Sequence, residues 1–193
     1  MKELPNRNKI FHAVVIGASA GGLFALSAIF EKLPIGYPLP ILLVQHRSKD
    51  QRELLEEILQ AKCQLQIKQA DEKESIVSGY VYIAPPDYHL LVERDFTLSL
   101  SSDAHVKYSR PSIDVLFESA AMVFKESLIG IILTGSSSDG SEGILSIKKM
   151  GGLTIAQEPS TAEYPFMPDA AIRTGGVDKI MTLGEIGSLL AKL

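Results

Sequence analysis

The sequence predicts an α/β fold, a doubly wound and mainly parallel sheet with an antiparallel hairpin, and three observations lead to this prediction. Short apolar runs of strand length alternate along the chain with segments of helical periodicity, which is the pattern of βαβ units. The runs at 13–16 and 41–44 are apolar at every position, as expected of parallel strands that helices cover on both faces. Two short runs in the middle flank a polar turn, which indicates a hairpin. With 193 residues and no linker or repeat, the chain is expected to form a single domain over residues 1–193.

The individual elements follow from apolar runs, helical stripes and turn residues. Strands are predicted at residues 13–16, 41–44, 81–84, 129–133 and 153–157, with a brief signal at 179–181. Helices are predicted at residues 22–31, 51–61, 113–125, 141–150 and 168–173, with a final helix that ends at 192. The hairpin is predicted to pair residues 90–93 with 97–100. Asp50 with Glu53, and Thr182 with Glu185, have the spacing of capping boxes.

Composition and charge exclude several classes of protein. The net charge is −4, so the chain lacks the basic face that nucleic-acid binding needs. Cys63 is the single cysteine; it cannot form an intrachain disulfide, which favours a reducing, cytoplasmic location. No segment approaches the ~20 apolar residues of a membrane span, and no membrane insertion is expected.

The first strand ends in a glycine-rich turn that contains a serine. Residues 17–22 read Gly-Ala-Ser-Ala-Gly-Gly, which matches G-x-S-x-G and places Ser19 in a sharp strand-to-helix turn. The amides at the start of the following helix, with that of Ala20 first, are candidate donors to an oxyanion. A glycine-rich first turn is equally expected of a nucleotide-binding fold or of tight packing.

Two further strands end in residues that complement a nucleophilic serine. His46 follows the second strand and is a candidate general base, although a hydrogen-bonded structural histidine is the simpler interpretation of one residue. Asp139 follows the strand at 129–133 and is a candidate to orient the imidazole, or a helix N-cap. The amide of Ser136 in the same loop is a second candidate oxyanion donor.

The remaining histidines are weaker candidates. His12 precedes the first strand and His105 lies in a polar stretch. His89 follows a Pro-Pro-Asp sequence; it is a candidate to line a cleft, but a loop role is the expectation.

The serine, histidine and aspartate each follow a strand of one parallel sheet. The carboxyl ends of such strands meet at one edge, where ligands bind, so Ser19, His46 and Asp139 are expected at a common rim. Their chain order is Ser, His, Asp, whereas α/β-hydrolases have the order Ser, Asp, His. The sequence therefore predicts a serine hydrolase outside the α/β-hydrolase family.

Several motifs in order resemble the catalytic domain of the CheB family of chemoreceptor glutamate methylesterases. The similarity spans residues 14 to 192. The motifs are Ile-Gly-Ala-Ser-Ala-Gly-Gly at 16–22, Gln-His at 45–46, Tyr-Ile-Ala-Pro at 82–85, Arg-Pro-Ser-Ile-Asp-Val-Leu-Phe at 110–117, Ile-Leu-Thr-Gly at 132–135, Asp-Gly at 139–140, Ala-Gln at 156–157 and Phe-Met-Pro at 166–168.

The resemblance implies a doubly wound α/β serine hydrolase that demethylates glutamate γ-methyl esters on chemoreceptor helices, and that deamidates glutamines in some members. It implies that Ser19 is the nucleophile, His46 the general base and Asp139 the orienting acid. It implies no metal or organic cofactor. The expected partners are methyl-accepting chemoreceptors. Typical members also carry a receiver domain before the catalytic domain; in its place a separate response regulator is expected as a partner. The alternatives are an unregulated enzyme and a fragment.

The chain departs from the family pattern next to two of these residues. The family loop Thr-Gly-Met-Gly-x-Asp-Gly reads Thr-Gly-Ser-Ser-Ser-Asp-Gly at 134–140. A positive φ at Ser137 would be disfavoured relative to glycine. Arg47 stands where an apolar residue is common, which is expected to alter the rim presented to a partner.

Two rival functions belong to other classes. A nucleotide-dependent oxidoreductase would need G-x-G-x-x-G and an acidic residue at the end of the second strand, but Gln45 and His46 stand there. A catalytically silent module that binds receptors or signalling partners is the second rival, and the altered serine loop motivates it. Reaction of Ser19 with a phosphonate would distinguish an activated serine from a silent one.

Overall fold

A seven-stranded sheet in which every pair of neighbouring strands is parallel forms the centre of the molecule. The computed structural model describes residues 10–47 and 54–193. The spatial order of the strands is β3-β4-β2-β1-β7-β8-β9, with β5 and β6 in a separate hairpin. The strands are β1 Ala13–Ala18, β2 Ile41–Gln45, β3 Gln66–Gln69, β4 Tyr80–Ile83, β5 His89–Val92, β6 Leu98–Ser101, β7 Leu128–Ile132, β8 Leu153–Gln157 and β9 Lys179–Met181.

Helices cover the sheet on both faces. They are α1 Gly22–Phe30, α2 Leu54–Gln60, α3 Ile113–Phe124, α4 Ser141–Lys149, α5 Phe166–Arg173 and α6 Leu183–Leu190. One core lies under α1, α2 and α6, and the other lies under α3, α4 and α5. The predicted doubly wound α/β fold is therefore confirmed, and so is the reason for it, since β1, β2 and β7 are buried at every residue.

The central strand β1 marks the point where the winding changes direction. The chain continues from β1 to β2 on one side, and later returns to place β7 on the other side. In open α/β sheets the crevice beside such a switch point, at the carboxyl ends of the strands, is where ligands bind. The residues that follow β1, β2 and β7 therefore lie at the edge of the sheet where a ligand is expected to bind.

One strand was not predicted, and several element boundaries differ by one or two residues from the sequence-based expectation. Strand β3 was not predicted because its residues, Gln-Ile-Lys-Gln, form a short polar edge strand without an apolar run. Helix α5 begins at Phe166, two residues before the predicted start. The capping box at Thr182 is confirmed, whereas the one predicted from Asp50 and Glu53 lies outside the described residues. None of the helices in the described ranges is both long and apolar enough to cross a bilayer.

Helices α3 and α4 pack closely because a glycine stands at their contact. A Cβ on Gly143 would lie 2.6 Å from the Cβ of Phe117 and 3.1 Å from the Cα of Asp114. The second neighbour is backbone, which cannot move aside as a flexible side chain can. Asp114 also accepts a hydrogen bond from the Gly143 amide at 2.8 Å.

We expect Gly143→Ala to lower the free energy of unfolding by about 1–3 kcal/mol, because the added methyl group forces α4 away from α3. Gly184→Ala is the matched control, since this helical glycine has its nearest neighbour at 3.6 Å. The control should be neutral or more stable by up to about 1 kcal/mol. Urea unfolding of both variants measures the difference, and equal losses would contradict the packing argument.

Candidate active site

The turn that holds Ser19 is fixed by backbone hydrogen bonds to the segment that follows β7 and to the start of α1. The Ser19 amide donates to the carbonyl of Thr134 at 3.0 Å, and the carbonyl of Ser19 accepts from the Gly22 amide at 2.9 Å. Gly21 adopts a left-handed conformation, with φ 77°, at the N-cap of α1. The serine is therefore presented by a rigid turn at the start of a helix, as its sequence motif predicts.

His46 lies directly beside this turn. The last paired residues of β1 and β2 are Ala18 and Gln45, so Ser19 and His46 each follow by one position. The His46 amide donates to the carbonyl of Ala18 at 3.0 Å. Its ring Nε2 lies 2.8 Å from Oδ2 of Asp139.

The Asp139 carboxylate is fully buried and binds the N-terminus of α3. Its Oδ1 accepts from Ser112 Oγ at 2.7 Å and from the Asp114 amide at 3.0 Å, and its Oδ2 accepts from the Ile113 amide at 2.7 Å. With His46, four donors hold the carboxylate. Gly140, and not Asp139, occupies the N-cap position of α4, so the simpler interpretation of Asp139 as that cap is wrong.

These donors decide the charge of Asp139. Burial by itself would raise the pKa of the carboxyl, but the hydrogen bonds from His46, Ile113, Asp114 and Ser112 outweigh it, and the pKa is below the ordinary value. The site therefore holds a carboxylate anion against the imidazole at neutral pH. Such an anion stabilises an imidazolium if the ring accepts a proton.

A second buried carboxyl lies next to the first. Burial raises the pKa of Asp114, and the charge of Asp139 raises it further, although a hydrogen bond from Lys107 opposes both effects. Nζ of Lys107 lies 2.8 Å from Oδ2 of Asp114 and donates to the carbonyl of Ser138. The positive charge of Lys107 thus partly offsets the negative charge of two closely spaced carboxyl groups, those of Asp114 and Asp139.

The serine loop before Asp139 adopts a conformation that serine tolerates. Ser137 is not among the residues with positive φ, so the conflict that a left-handed backbone would create does not arise. Its hydroxyl accepts a hydrogen bond from the Asp139 amide at 3.1 Å. A glycine at this position has no such acceptor, so the departure from the family loop adds a contact to the backbone of Asp139.

Ser19, Ala20 and His46 line a common cleft of about 1100 Å³. In the described part of the chain, the hydrogen bonds of Ser19 are all made by its backbone, so the contact between Ser19 Oγ and the His46 ring stays a prediction. Ser136 is exposed and is not one of the described residues that line the cleft. The residue before it does contact the turn that holds Ser19, since a Cβ on Gly135 would lie 2.8 Å from the Cβ of Ser19.

The other histidines lie in different surroundings. His12 is exposed before β1, and His105 lines the cleft. The loop role expected for His89 is wrong. It begins strand β5 and is buried, because its Nδ1 accepts from the Ser112 amide and its Nε2 lies 3.1 Å from the carbonyl of Ala104.

Gln45 connects the two turns and was not recognised from the sequence as a functional residue. Its side-chain amide donates to the carbonyl of Ser19 at 2.8 Å and to that of His46 at 2.9 Å. A Cβ on Gly22 would lie 2.0 Å from Gln45 Oε1, so only glycine leaves room for this side chain. The Gln-His pair directly after an apolar strand was the feature of the sequence that could have identified Gln45.

Arg110 holds the opposite wall of the cleft. Its guanidinium donates to Oδ1 of Asp87 at 2.7 Å and to the carbonyls of Ser102 and Asp103. The loop between β6 and α3 is thereby tied beside the cleft, where Tyr108 is fully exposed. Within the described ranges no group of three or more His, Cys, Asp or Glu side chains is placed to hold a metal ion.

Comparison with known proteins assigns this arrangement to a family. Residues 14–190 match the family model described as CheB methylesterase. The chain belongs to the CheB methylesterase family. The crystal structure of the CheB methylesterase catalytic domain from Thermotoga maritima superposes with a TM-score of 0.90 at 32% identity, and covers 94% of this chain and 98% of that one.

Relatives of this CheB-family chain fall into two size classes. A Leptospira interrogans protein, named as a candidate protein-glutamate methylesterase/protein-glutamine glutaminase, is 48% identical over 183 residues, which are 95% of each chain. A Geobacter metallireducens protein-glutamate methylesterase/protein-glutamine glutaminase is 36% identical over 190 residues, or 95% of this chain and 52% of the relative. The chain thus spans about half the length of the second relative.

We expect Gln45→Met to lower kcat for ester hydrolysis about ten- to a hundredfold with little change in KM, because small displacements of reacting groups are costly. The matched control is Gln60→Met, since the Gln60 amide also donates to two backbone carbonyls, those of Cys63 and Leu65, but away from the cleft. Steady-state kinetics of both variants checks this. Equal slowing in the two would indicate general destabilisation instead.

Asp139 is expected to make stability depend on acid pH. Its pKa is lower in the folded chain, so its stabilising contribution is present above the unfolded pKa of about 4 and is lost as the pH falls through the folded pKa. Asp139→Asn should cost roughly 3–5 kcal/mol at pH 7, and the difference from the native chain should shrink below about pH 4. Urea unfolding across this range measures it.

Asp95→Asn is the control for that experiment. Its pKa is also lowered by hydrogen bonds from Thr97, but the group is fully exposed, so the substitution should leave the stability close to that of the native chain. A constant deficit of Asp139→Asn down to pH 2 would contradict the proposed ionisation.

Proposed function

We propose that this chain is a serine hydrolase that demethylates glutamate γ-methyl esters on chemoreceptors, with Ser19 as nucleophile, His46 as general base and Asp139 as orienting acid. The observation that carries the proposal is the hydrogen bond from His46 to a buried carboxylate, in a cleft that Ser19 also lines. The names of its relatives support the same activity.

The hydrogen bond to Asp139 selects the tautomer of the imidazole. When Nε2–H donates to the carboxylate, the lone pair of the neutral ring is on Nδ1, so Nδ1 is the atom that takes a proton. In the first step Ser19 Oγ attacks the ester carbonyl while its proton passes to Nδ1. The imidazolium that forms is stabilised by the Asp139 anion.

Charge next develops on the former carbonyl oxygen. Backbone amides of Ala20 and Ser136 are the donors we propose for this oxyanion, because the first lies in the nucleophile turn at the N-terminus of α1 and the second follows Gly135, which touches Ser19. The C–O bond to the methoxy group then breaks, and methanol leaves with the proton from His46. Water attacks the glutamyl-serine ester, with His46 again as base, and releases the carboxylate.

The same steps act on an amide. With a glutamine side chain, ammonia leaves in place of methanol and the product is again glutamate, so the site supports deamidation as well. We propose methyl-accepting chemoreceptors in the cytoplasm as substrates, and a separate response regulator as a partner. The methylesterase and glutaminase names of the relatives support this choice.

We expect Ser19→Ala, His46→Gln and Asp139→Asn each to lower kcat by roughly 10⁴-fold, because the three groups act as one unit. Methanol release from membranes that hold methylated receptors of the same cell measures the rate. A serine-directed fluorophosphonate should label the native chain and not Ser19→Ala.

Ser27→Ala is the matched control, because this hydroxyl donates to the Leu23 carbonyl in α1 and takes no part in the cleft. It should retain the native rate and the native labelling. Methanol release by Ser19→Ala at a rate near the native one would refute the assignment. A native chain that neither reacts with the phosphonate nor releases methanol would instead favour a silent binding module.

A further inference from the structure

The charged side chains that line the cleft are balanced, with one exception. Nη2 of Arg47 pairs with Glu56 at 3.0 Å, and Nη2 of Arg110 pairs with Asp87 at 2.7 Å. His46 is paired with Asp139. Among the described residues, the remaining formal charge on the cleft wall is the carboxylate of Glu163, which is exposed and has no ion pair there.

Glu163 is held close to the nucleophile turn. Its Oε2 lies 2.9 Å from the position that a Cβ on Gly21 would take. The next residue is anchored, since the Tyr164 amide donates to Thr134 Oγ1 at 2.9 Å and its carbonyl accepts from the Gly135 amide at 2.9 Å. This backbone therefore keeps a negative charge at the wall of the cleft where Ser19 acts.

The proposed reaction turns a neutral side chain into an anionic one. The substrate is an ester or an amide, and the product is a carboxylate. Donors that stabilise an oxyanion, together with the N-terminus of α1, also attract a carboxylate. Without an opposing charge, the product and every unmodified glutamate on the receptor would compete for the same cleft.

We propose that Glu163 is a specificity-determining residue. Its negative charge repels the side-chain carboxylate of an unmodified glutamate and so favours binding of neutral esters and amides over the glutamate product. This inference rests on the proposed function, since it assumes that the group bound at Ser19 is a modified glutamate. Repulsion between two like charges in a partly solvated cleft is expected to change affinity by about three- to tenfold.

The test measures binding in the absence of turnover. A soluble cytoplasmic fragment of a methyl-accepting receptor from the same cell is prepared with glutamate or with glutamine at its modified position; the two side chains have the same shape and differ in charge. Calorimetry gives the Kd of each form for Ser19→Ala and for Ser19→Ala with Glu163→Gln. The ratio of the glutamate Kd to the glutamine Kd should fall about three- to tenfold when Glu163 is replaced.

Glu158→Gln in the Ser19→Ala background is the matched control, because Glu158 lies five residues earlier in the same connection but does not line the cleft. It should leave the ratio unchanged. The ratio measured with Glu163 present should also fall as NaCl is raised to about 1 M, since salt screens exposed charges. An unchanged ratio on replacement of Glu163, or no binding of either form, would overturn the inference.

Failure of this inference and failure of the proposed function give different results. Methanol release by the native chain and its loss in Ser19→Ala test the function and do not depend on Glu163. If the enzyme is active but the Kd ratio is the same with and without Glu163, only the specificity role is refuted.

Discussion

The hydrogen bond between His46 and the buried carboxylate of Asp139 is the interaction on which the rest of the site depends. A carboxylate removed from water is costly unless donors replace its hydration, and four donors do so here. Two are amides at the start of α3 and one is the hydroxyl of Ser112, its N-cap residue. The helix that covers one face of the sheet therefore also stabilises the anion against the imidazole, which couples the packing of the fold to the chemistry of the site.

Glycines make the same coupling between fold and site possible at Ser19. The turn after β1 needs Gly21 in a left-handed conformation and Gly22 in contact with Gln45, so the side-chain amide of that glutamine reaches the backbones of Ser19 and His46. Mostly backbone contacts thus position Ser19 and His46, the two residues between which a proton passes in the proposed mechanism. This arrangement suits a reaction that needs placement within a fraction of an ångström.

Electrostatics separates the roles of the carboxyl groups near the cleft. Asp139 is anionic because donors surround it, whereas burial and its neighbour raise the pKa of Asp114, which Lys107 accompanies. Glu163 is exposed and faces the cleft without an ion pair in the described ranges. Three carboxyl groups near the cleft therefore differ in ionisation and surroundings, and solvent access together with the number of hydrogen-bond donors decides how.

The sequence by itself determined the fold class, the capped final helix and the rim that holds Ser19, His46 and Asp139, because apolar runs and glycine turns are local signals and parallel strands share one carboxyl edge. Tertiary structure alone decided the three donors to Asp139 other than His46, because they come from the start of α3, 25 to 27 positions earlier in the chain. It also decided the strand role of His89, the polar edge strand β3 and the bridging amide of Gln45. These depend on contacts between distant segments, and no periodicity or spacing along the chain encodes such contacts.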